Sequence, residues 1–157
     1  MTNESAAIVA SSLTWEQAHV SLDHAVKGLP AKLRGVRPDK FPRSVWELVE
    51  HIRRAQQDLL AFCADPNYEE TLKWPDDYWP SSPAPATAAE WNDSLTAIRR
   101  DAAALAQFAT THAATLEQKI PRGTGQTYLR TVLVAVDHTS YHVGQILAVR
   151  RLLGAWE

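Results

Sequence analysis

The chain has 157 residues, of which 45% are hydrophobic and 22% are charged, and its formal net charge is -2. These values are typical of one globular domain with a substantial core, over residues 1–157, and they exclude a disordered chain. The sixteen Lys and Arg residues are scattered in short pairs rather than gathered into a stripe, so nothing indicates a nucleic-acid partner.

The cysteine count and the absence of targeting patterns indicate the cellular compartment of the protein. Cys63 is the only cysteine, so an intrachain disulfide cannot form and a reducing compartment is favoured. The amino terminus lacks a basic region followed by an apolar one, and no apolar run approaches the ~18 residues that span a bilayer. We therefore expect a cytoplasmic protein with no membrane partner.

The first predicted helix runs from about Thr14 to Leu33. Thr14 and Gln17 have the spacing of a capping box, and Gly35 and Pro38 follow the helix as breakers. The apolar stripe that predicts it consists of Ala18, Leu22, Val26, Leu29 and Leu33.

The second predicted helix begins after Pro42. Ser44 and Glu47 have capping-box spacing, and Asp65-Pro66 ends the helix. One apolar face comprises Val45, Leu48, Val49, Ile52, Leu59 and Cys63. A long Trp- and Pro-containing connection over residues 65–87 follows, and a loop of that length is either functional or crosses the domain from end to end.

Two further helices complete the pattern. The third runs from about Ala88 to Lys119 with a bundle-like seam, and the fourth runs from about Gln126 to Leu153. No segment alternates with the period of a strand. The sequence thus predicts an all-α four-helix bundle with up-down-down-up topology, in which the long loop crosses between helices two and three.

His138 and His142 are the most informative pair in the sequence. Residues four apart lie one above the other on a helix, so two imidazoles at this spacing can reach one ion. Both belong to one stripe of the fourth helix, which is apolar around most of its circumference. An enclosed histidine needs a hydrogen bond, the loss of its charge, or a metal.

The other four histidines differ in their predicted surroundings. His51 lies on the flank of the second helix's apolar face and is the best third ligand. His24 is predicted to face solvent, and His19 is ambiguous. His112 lies on the seam of the third helix, where a hydrogen-bonded core histidine is the favoured interpretation.

The segments PRSVWELVEHIRRAQQDLL and DHTSYHVGQILAVRRLLG resemble the DinB-like superfamily of proposed metalloenzymes. The specific features are the spacing of Trp46 and His51 and the cluster of His138, Tyr141, His142, Gly144, Gln145 and Ile146 before Arg150-Arg151. The resemblance covers essentially the whole chain. It implies that His51, His138 and His142 hold one divalent metal, which is nickel, zinc or iron. It also implies an up-down-down-up bundle, a homodimer, and thiol-dependent transfer or isomerisation with a low-molecular-weight thiol.

Three imidazoles leave positions for water or substrate, as in catalytic metal sites. Asp137 points about a quarter turn away from His138 and is best interpreted as solvated or hydrogen-bonded between helices. Gln145 follows His142 on the same face, where a contact with the site and core packing are equally compatible. Tyr141 is either a phenolic donor near the site or a packing residue. No catalytic role is assigned to either residue.

Three functions remain open from the sequence. The first is a metal-dependent transferase, isomerase or hydrolase that acts on a small-molecule substrate at an open three-histidine site. The second is a non-catalytic metal-containing stress or ligand-binding protein, and the third is a plain helical dimer with histidines in its core. A homodimer is also indicated by Leu133 and Leu147, which lie on the side of the last helix away from its histidines.

Overall fold

The computed structural model describes residues 1–156 and contains five α-helices and two short 3-10 helices. Within the described residues there is no strand, and an isolated bridge joins Lys119 to Thr127. The all-helical prediction is confirmed. The α-helices are α1 (Asn3–Ser12), α2 (Leu22–Val26), α3 (Val45–Ala64), α4 (Ala88–Thr111) and α5 (Tyr128–Leu152).

The three long helices each begin at a side-chain cap. Ser44 and Glu47 form the predicted capping box at α3, because each side chain accepts a hydrogen bond from the other residue's main-chain N–H. Thr87 caps α4 and Thr127 caps α5 through their hydroxyl oxygens. These caps fix where α3 and α5 start. The start of each helix in turn determines how far along the bundle its histidines lie.

The main core lies where α3 packs against α4 and α5. Helix α1 packs on α4, and the short α2 packs on α5. Burial of this apolar surface is the main force that holds the helices together. The largest fully buried side chains of the chain are Trp46, Leu48, Ile52, Leu105, Leu116, Ile120, Ile146, Glu47, Val45, Val49, Val132 and Val143.

The prediction of one helix from Thr14 to Leu33 is wrong. Helix α1 lies upstream of it, with Thr2 as its cap, and the predicted span holds only α2 and a 3-10 helix at Ala31–Leu33. Ser21 caps α2, and Gly28 follows it with a left-handed φ of 70°. Pro30 cannot donate a helical hydrogen bond, so Gly28 and Pro30 together stop the helix.

Helix α4 begins where predicted but ends at Thr111 rather than at Lys119. His112 is its C-terminal cap residue and is exposed, so the prediction of a core histidine is also wrong. The His112 ring stacks on Phe108, with ring centroids 4.2 Å apart. Beyond His112 the chain continues in consecutive hydrogen-bonded turns, and Leu116 of the predicted seam is still buried there.

The connection between α3 and α4 spans residues 65–87 and contains the 3-10 helix Asp76–Tyr78. That helix packs against α3. The up-down-down-up order of helix directions and the end-to-end crossing of this loop remain predictions. Among the residues described, no helix is both long and apolar enough to cross a membrane.

Candidate metal centre

Three histidines from two helices meet in the structure. His51 comes from α3, and His138 and His142 come from successive turns of α5. His51 and His142 are buried and His138 is half-buried. One ring nitrogen of each histidine lies within 4.8 Å of the other two. The structure thus brings together the residues that the sequence singled out, in an arrangement that could hold a metal ion.

The Nε2 atom of His138 lies close to the Nε2 atoms of the other two histidines. His138 Nε2 lies 3.0 Å from His51 Nε2 and 3.2 Å from His142 Nε2. Imidazole nitrogens bound to zinc at about 2.0–2.1 Å would be about 3.3 Å apart in a tetrahedron. The same bond lengths would place them about 3 Å apart on one face of an octahedron. Both separations from His138 are therefore compatible with either geometry.

The tautomer of His51 is set by the loop over residues 65–87. His51 Nδ1 lies 3.2 Å from the main-chain oxygen of Tyr78, and because a carbonyl only accepts, Nδ1 carries the proton. The Nε2 lone pair of neutral His51 is therefore free to bind a metal. A histidine ligand held by its second nitrogen in this way is a common feature of metal sites.

His142 is oriented by a chain of side chains on its own helix. Its Nδ1 lies 2.7 Å from Gln145 Oε1, so Nδ1 donates and Nε2 again faces the centre. Gln145 Nε2 in turn donates to the Tyr141 hydroxyl at 3.0 Å. The sequence left two interpretations open for Gln145, a contact with the site and core packing, and the structure shows the contact with His142. The Tyr141 oxygen accepts this bond and keeps its own proton for another partner.

The loop that contacts His51 is itself fastened to α3. The Tyr78 hydroxyl donates to Asp58 at 2.7 Å, and the Tyr68 hydroxyl donates to the other oxygen of Asp58 at 2.9 Å. Arg54 donates to the main-chain oxygens of Asp77 and Trp79. The Trp79 ring stacks on His51 with ring centroids 3.8 Å apart and planes 3° from parallel.

Burial keeps the trio neutral. Loss of hydration lowers the pKa of His51 to about 4, against an opposing effect of the Tyr78 hydrogen bond. Burial, together with the neighbouring His142 and His51, lowers the pKa of His138 to about 3. Burial also lowers the pKa of His142, and the hydrogen bond to Gln145 opposes that shift. All three rings can therefore accept a metal at neutral pH without first losing a proton.

An open cavity of about 460 Å³ lies over the trio. Its walls are mainly aromatic, and Arg43 is the one charged residue among the described residues that line it. The Arg43 guanidinium lies over the Trp79 ring, 4.1 Å from the centroid, and donates to Glu47 at 3.0 Å. The remaining lining residues are Phe41, Pro42, His51, Trp74, Pro75, Trp79, His138, Tyr141, His142 and Gln145.

The other histidines lie outside this centre. His24 is exposed, as predicted, and His19 and His112 are exposed as well. Sequence reasoning did not assign Phe41, Pro42 and Arg43, which precede α3, to the site, and it also missed the loop residues Trp74, Tyr78 and Trp79. The signal for the loop residues was the unusual Trp- and Pro-rich composition of the loop, which indicated a function without indicating which atoms contact the histidines.

The helical bundle and its buried cluster of three histidines define a candidate metal-binding helical protein. Comparison with protein families matches residues 14–146 to the DinB superfamily, and the chain belongs to that family. The comparisons with curated proteins and with solved structures gave no match.

Proposed function

We propose that the chain is a metal-dependent enzyme in which His51, His138 and His142 bind one divalent metal through their Nε2 atoms. The observation that supports this proposal most strongly is the pair of hydrogen bonds behind the ligands. The main-chain oxygen of Tyr78 accepts a hydrogen bond from His51 Nδ1–H, and Gln145 Oε1 accepts one from His142 Nδ1–H. Two rings are thereby oriented with a free nitrogen toward His138, which a purely packed histidine cluster would not need.

The donor set suits zinc, nickel or iron, because imidazole is a good ligand for all three. With three protein ligands, at least one position is left for an exogenous ligand on the side of the aromatic cavity. A divalent metal bound there would act as a Lewis acid that stabilises a thiolate or a hydroxide at neutral pH.

The cavity walls indicate what kind of molecule is bound. Trp74, Trp79 and Phe41 offer aromatic surface to an apolar or planar substrate and exclude water around it. Tyr141 has a free O–H proton at the rim and can donate it to a polar atom of the substrate. Arg43 adds a positive charge to the same wall, partly neutralised by Glu47.

We further propose that the reaction is a thiol-dependent S-transfer or isomerisation that uses a low-molecular-weight thiol. Within the described chain no Asp or Glu lines this cavity, so the protein supplies no carboxylate base or nucleophile there. Cys63 cannot take that part, since it is absent from the cavity lining, and burial raises its pKa to about 11. A thiol bound from solution would bring the missing nucleophile, and its thiolate is a ligand that zinc, nickel and iron accept.

The proposal is tested by purifying the chain without an affinity tag, stripping it with a chelator and reloading it with zinc, nickel or ferrous iron. Each form is incubated with a panel of thiols and an aromatic electrophile, and thiol consumption is followed. We expect turnover that needs both metal and thiol, disappears in His142→Ala and is retained in His24→Ala. Stoichiometric metal without turnover would support a non-catalytic ligand-binding protein, and turnover without thiol would support a hydrolase.

We also propose that the chain forms a homodimer through α5. Leu133 is 45% exposed on that helix, and it lies among Leu129, Val134 and Thr127 on an open surface. Leu147, the other residue that the sequence placed on this side, is only half-buried and packs against the main core. Light scattering over a wide concentration range should give twice the chain mass, and Leu133→Glu should shift it toward the monomer. A monomer mass for the unchanged protein at every concentration would contradict the proposal.

A further inference from the structure

A second cavity lies on the other side of α5 from the histidines. Val136, Thr139, Ser140 and Val143 of α5 line it, and successive helix residues are about 100° apart, so these side chains point away from His138 and His142. The segment that follows α1 and residues of α4 close the remaining sides. Its volume is about 130 Å³. An engineered apolar cavity of about 150 Å³ binds benzene, so this slightly smaller cavity is close to the size of a single ring.

The inner wall is mostly apolar but includes one buried amide. Gln56 of α3 is 3% exposed and lines the cavity. Its Nε2 donates to the main-chain oxygen of Ile98 at 2.6 Å, which fixes the side chain. Its Oε1 accepts no hydrogen bond from any residue in the described part of the chain. This oxygen is not one of the fully buried polar atoms without a partner, so water in the cavity reaches it, and a ligand with a hydrogen-bond donor can take the place of that water.

Two hydroxyls of α5 also have no partner within the protein. Thr139 and Ser140 are half-buried and line the cavity, and neither hydroxyl makes a hydrogen bond within residues 1–156. On the same helix, the hydroxyl of Thr131 donates in the usual way to the carbonyl of Thr127, four residues earlier. The cavity therefore combines apolar walls with an acceptor and two hydroxyls that have no protein partner.

Charges occur only at the mouth. Arg99 and Asp23 form an ion pair at 2.8 Å, and each side chain is more than half exposed. His19 is exposed beside them, and its Nδ1 is occupied by the main-chain oxygen of Val20 at 2.8 Å. The interior thus offers no unpaired charge to a ligand, which excludes a small anion or a metal ion as the occupant.

We propose that this cavity is a second ligand site, distinct from the metal centre, for an uncharged ring-sized molecule that carries one hydrogen-bond donor. The ring packs against Leu95, Ile98 and Val143, and the donor reaches Oε1 of Gln56. The hydroxyls of Thr139 and Ser140 satisfy a second polar atom where the ligand has one. Phenol is the simplest molecule with these properties, and toluene is a matched probe of the same shape without the donor.

The test is a titration of the isotopically labelled, metal-loaded chain with phenol and with toluene, followed by amide NMR. We expect saturable shifts at Ile98, Thr139 and Ser140 with phenol, smaller shifts at Tyr141 and Gln145, and affinity for toluene about tenfold lower. That ratio corresponds to the ~1.4 kcal/mol contribution of one hydrogen bond. Shifts confined to the histidine cavity, or no saturable shift with either probe, would show that this cavity holds only water and would overturn the proposal.

Two variants distinguish the effect of the hydrogen bond to Gln56 from the effect of the space available to the ligand. Gln56→Leu removes the acceptor and should remove the tenfold preference for phenol over toluene. Ala102→Leu fills the cavity from α4 and should abolish binding of both probes. Zinc binding and the far-ultraviolet circular dichroism of each variant report whether it is folded. If Ala102→Leu does not fold, the unchanged preference for phenol in Gln56→Leu would by itself contradict the proposal.

Discussion

His51 Nδ1 lies 3.2 Å from the main-chain oxygen of Tyr78, so a residue of the long loop decides which nitrogen of a core imidazole carries the proton. The loop is held in that position by Asp58, which accepts a hydrogen bond from the Tyr78 hydroxyl. The hydroxyl and the carbonyl of Tyr78 thus connect a carboxylate of α3 to a histidine about two turns earlier on the same helix.

Tyr78→Phe tests this connection, because it removes the hydroxyl and leaves the carbonyl in the chain. We expect metal affinity to fall roughly tenfold, the lower end of the effect of partners that orient metal ligands. The measurement is competition for zinc against a chromogenic chelator. Tyr68→Phe is the matched control, since Tyr68 also donates to Asp58 but does not contact His51. Equal losses in both variants would show that Asp58 acts through general stability of the loop.

The histidines of the site could be predicted from the sequence and the loop residues could not, for a physical reason. His138 and His142 could be paired from sequence because a helix places residues four apart on one face. His51 could be added because its helix has a clear apolar face with a capping box at its start. Tyr78 and Trp79 could not be placed, since a loop conformation is decided by tertiary contacts such as the bond from Arg54 to Trp79.

The metal-free protein should lose stability as the pH falls from 6.5 toward 4. In the unfolded chain a histidine binds a proton below about 6.5, whereas burial holds the pKa of native His51 at about 4 and that of His138 at about 3. The unfolded state therefore binds more protons in this window, and acid favours it. Urea unfolding of the chelator-treated protein at several pH values measures the effect.

The control for this pH dependence removes one of the histidines. His51→Asn should flatten the decline in the free energy of unfolding between pH 6.5 and 4, while His24→Asn should leave it unchanged, because His24 is exposed. The same slope in all three proteins would show that other groups cause the acid sensitivity.

Glu47 is a fully buried carboxylate at the start of α3. Burial alone would raise its pKa, but hydrogen bonds from Arg37, the Ser44 N–H and Arg43 lower the pKa to about 2. Glu47→Gln places an amide against these donors and should lower the free energy of unfolding by about 2–4 kcal/mol at pH 7. Arg37→Ala should cost less, since that side chain is half exposed.

The pH dependence distinguishes the ionic role of Glu47 from packing. Its pKa is depressed in the folded state, so its contribution is present above about pH 4.5 and is lost as the pH falls toward 2. The difference in unfolding free energy between the unchanged protein and Glu47→Gln should therefore be smaller at pH 3 than at pH 7. A difference that is independent of pH would contradict the ionic interpretation.

The first predicted helix shows where periodicity fails. A stripe of five apolar residues over positions 14–33 fits one helix. Four of them, Leu22, Val26, Leu29 and Leu33, also pack when α2 and its flanking turns bring them to the core, whereas Ala18 is exposed. Gly28 and Pro30 are helix-breaking residues within this span, and they indicate the end of the helix more reliably than the apolar stripe indicates its continuation. The end of α4 was missed for a related reason, because Leu116 remains buried after the chain has left the helix at His112.

The most direct test of the account is the metal content of single-histidine variants after chelator treatment and reloading with zinc, measured by elemental analysis on tag-free protein. We predict one metal per chain in the unchanged protein and in His24→Ala and His112→Ala, whose side chains lie outside the centre. His51→Ala, His138→Ala and His142→Ala should each retain well under half of that amount while remaining folded by circular dichroism. Full metal content in all three variants would contradict the assignment of these histidines as the metal ligands.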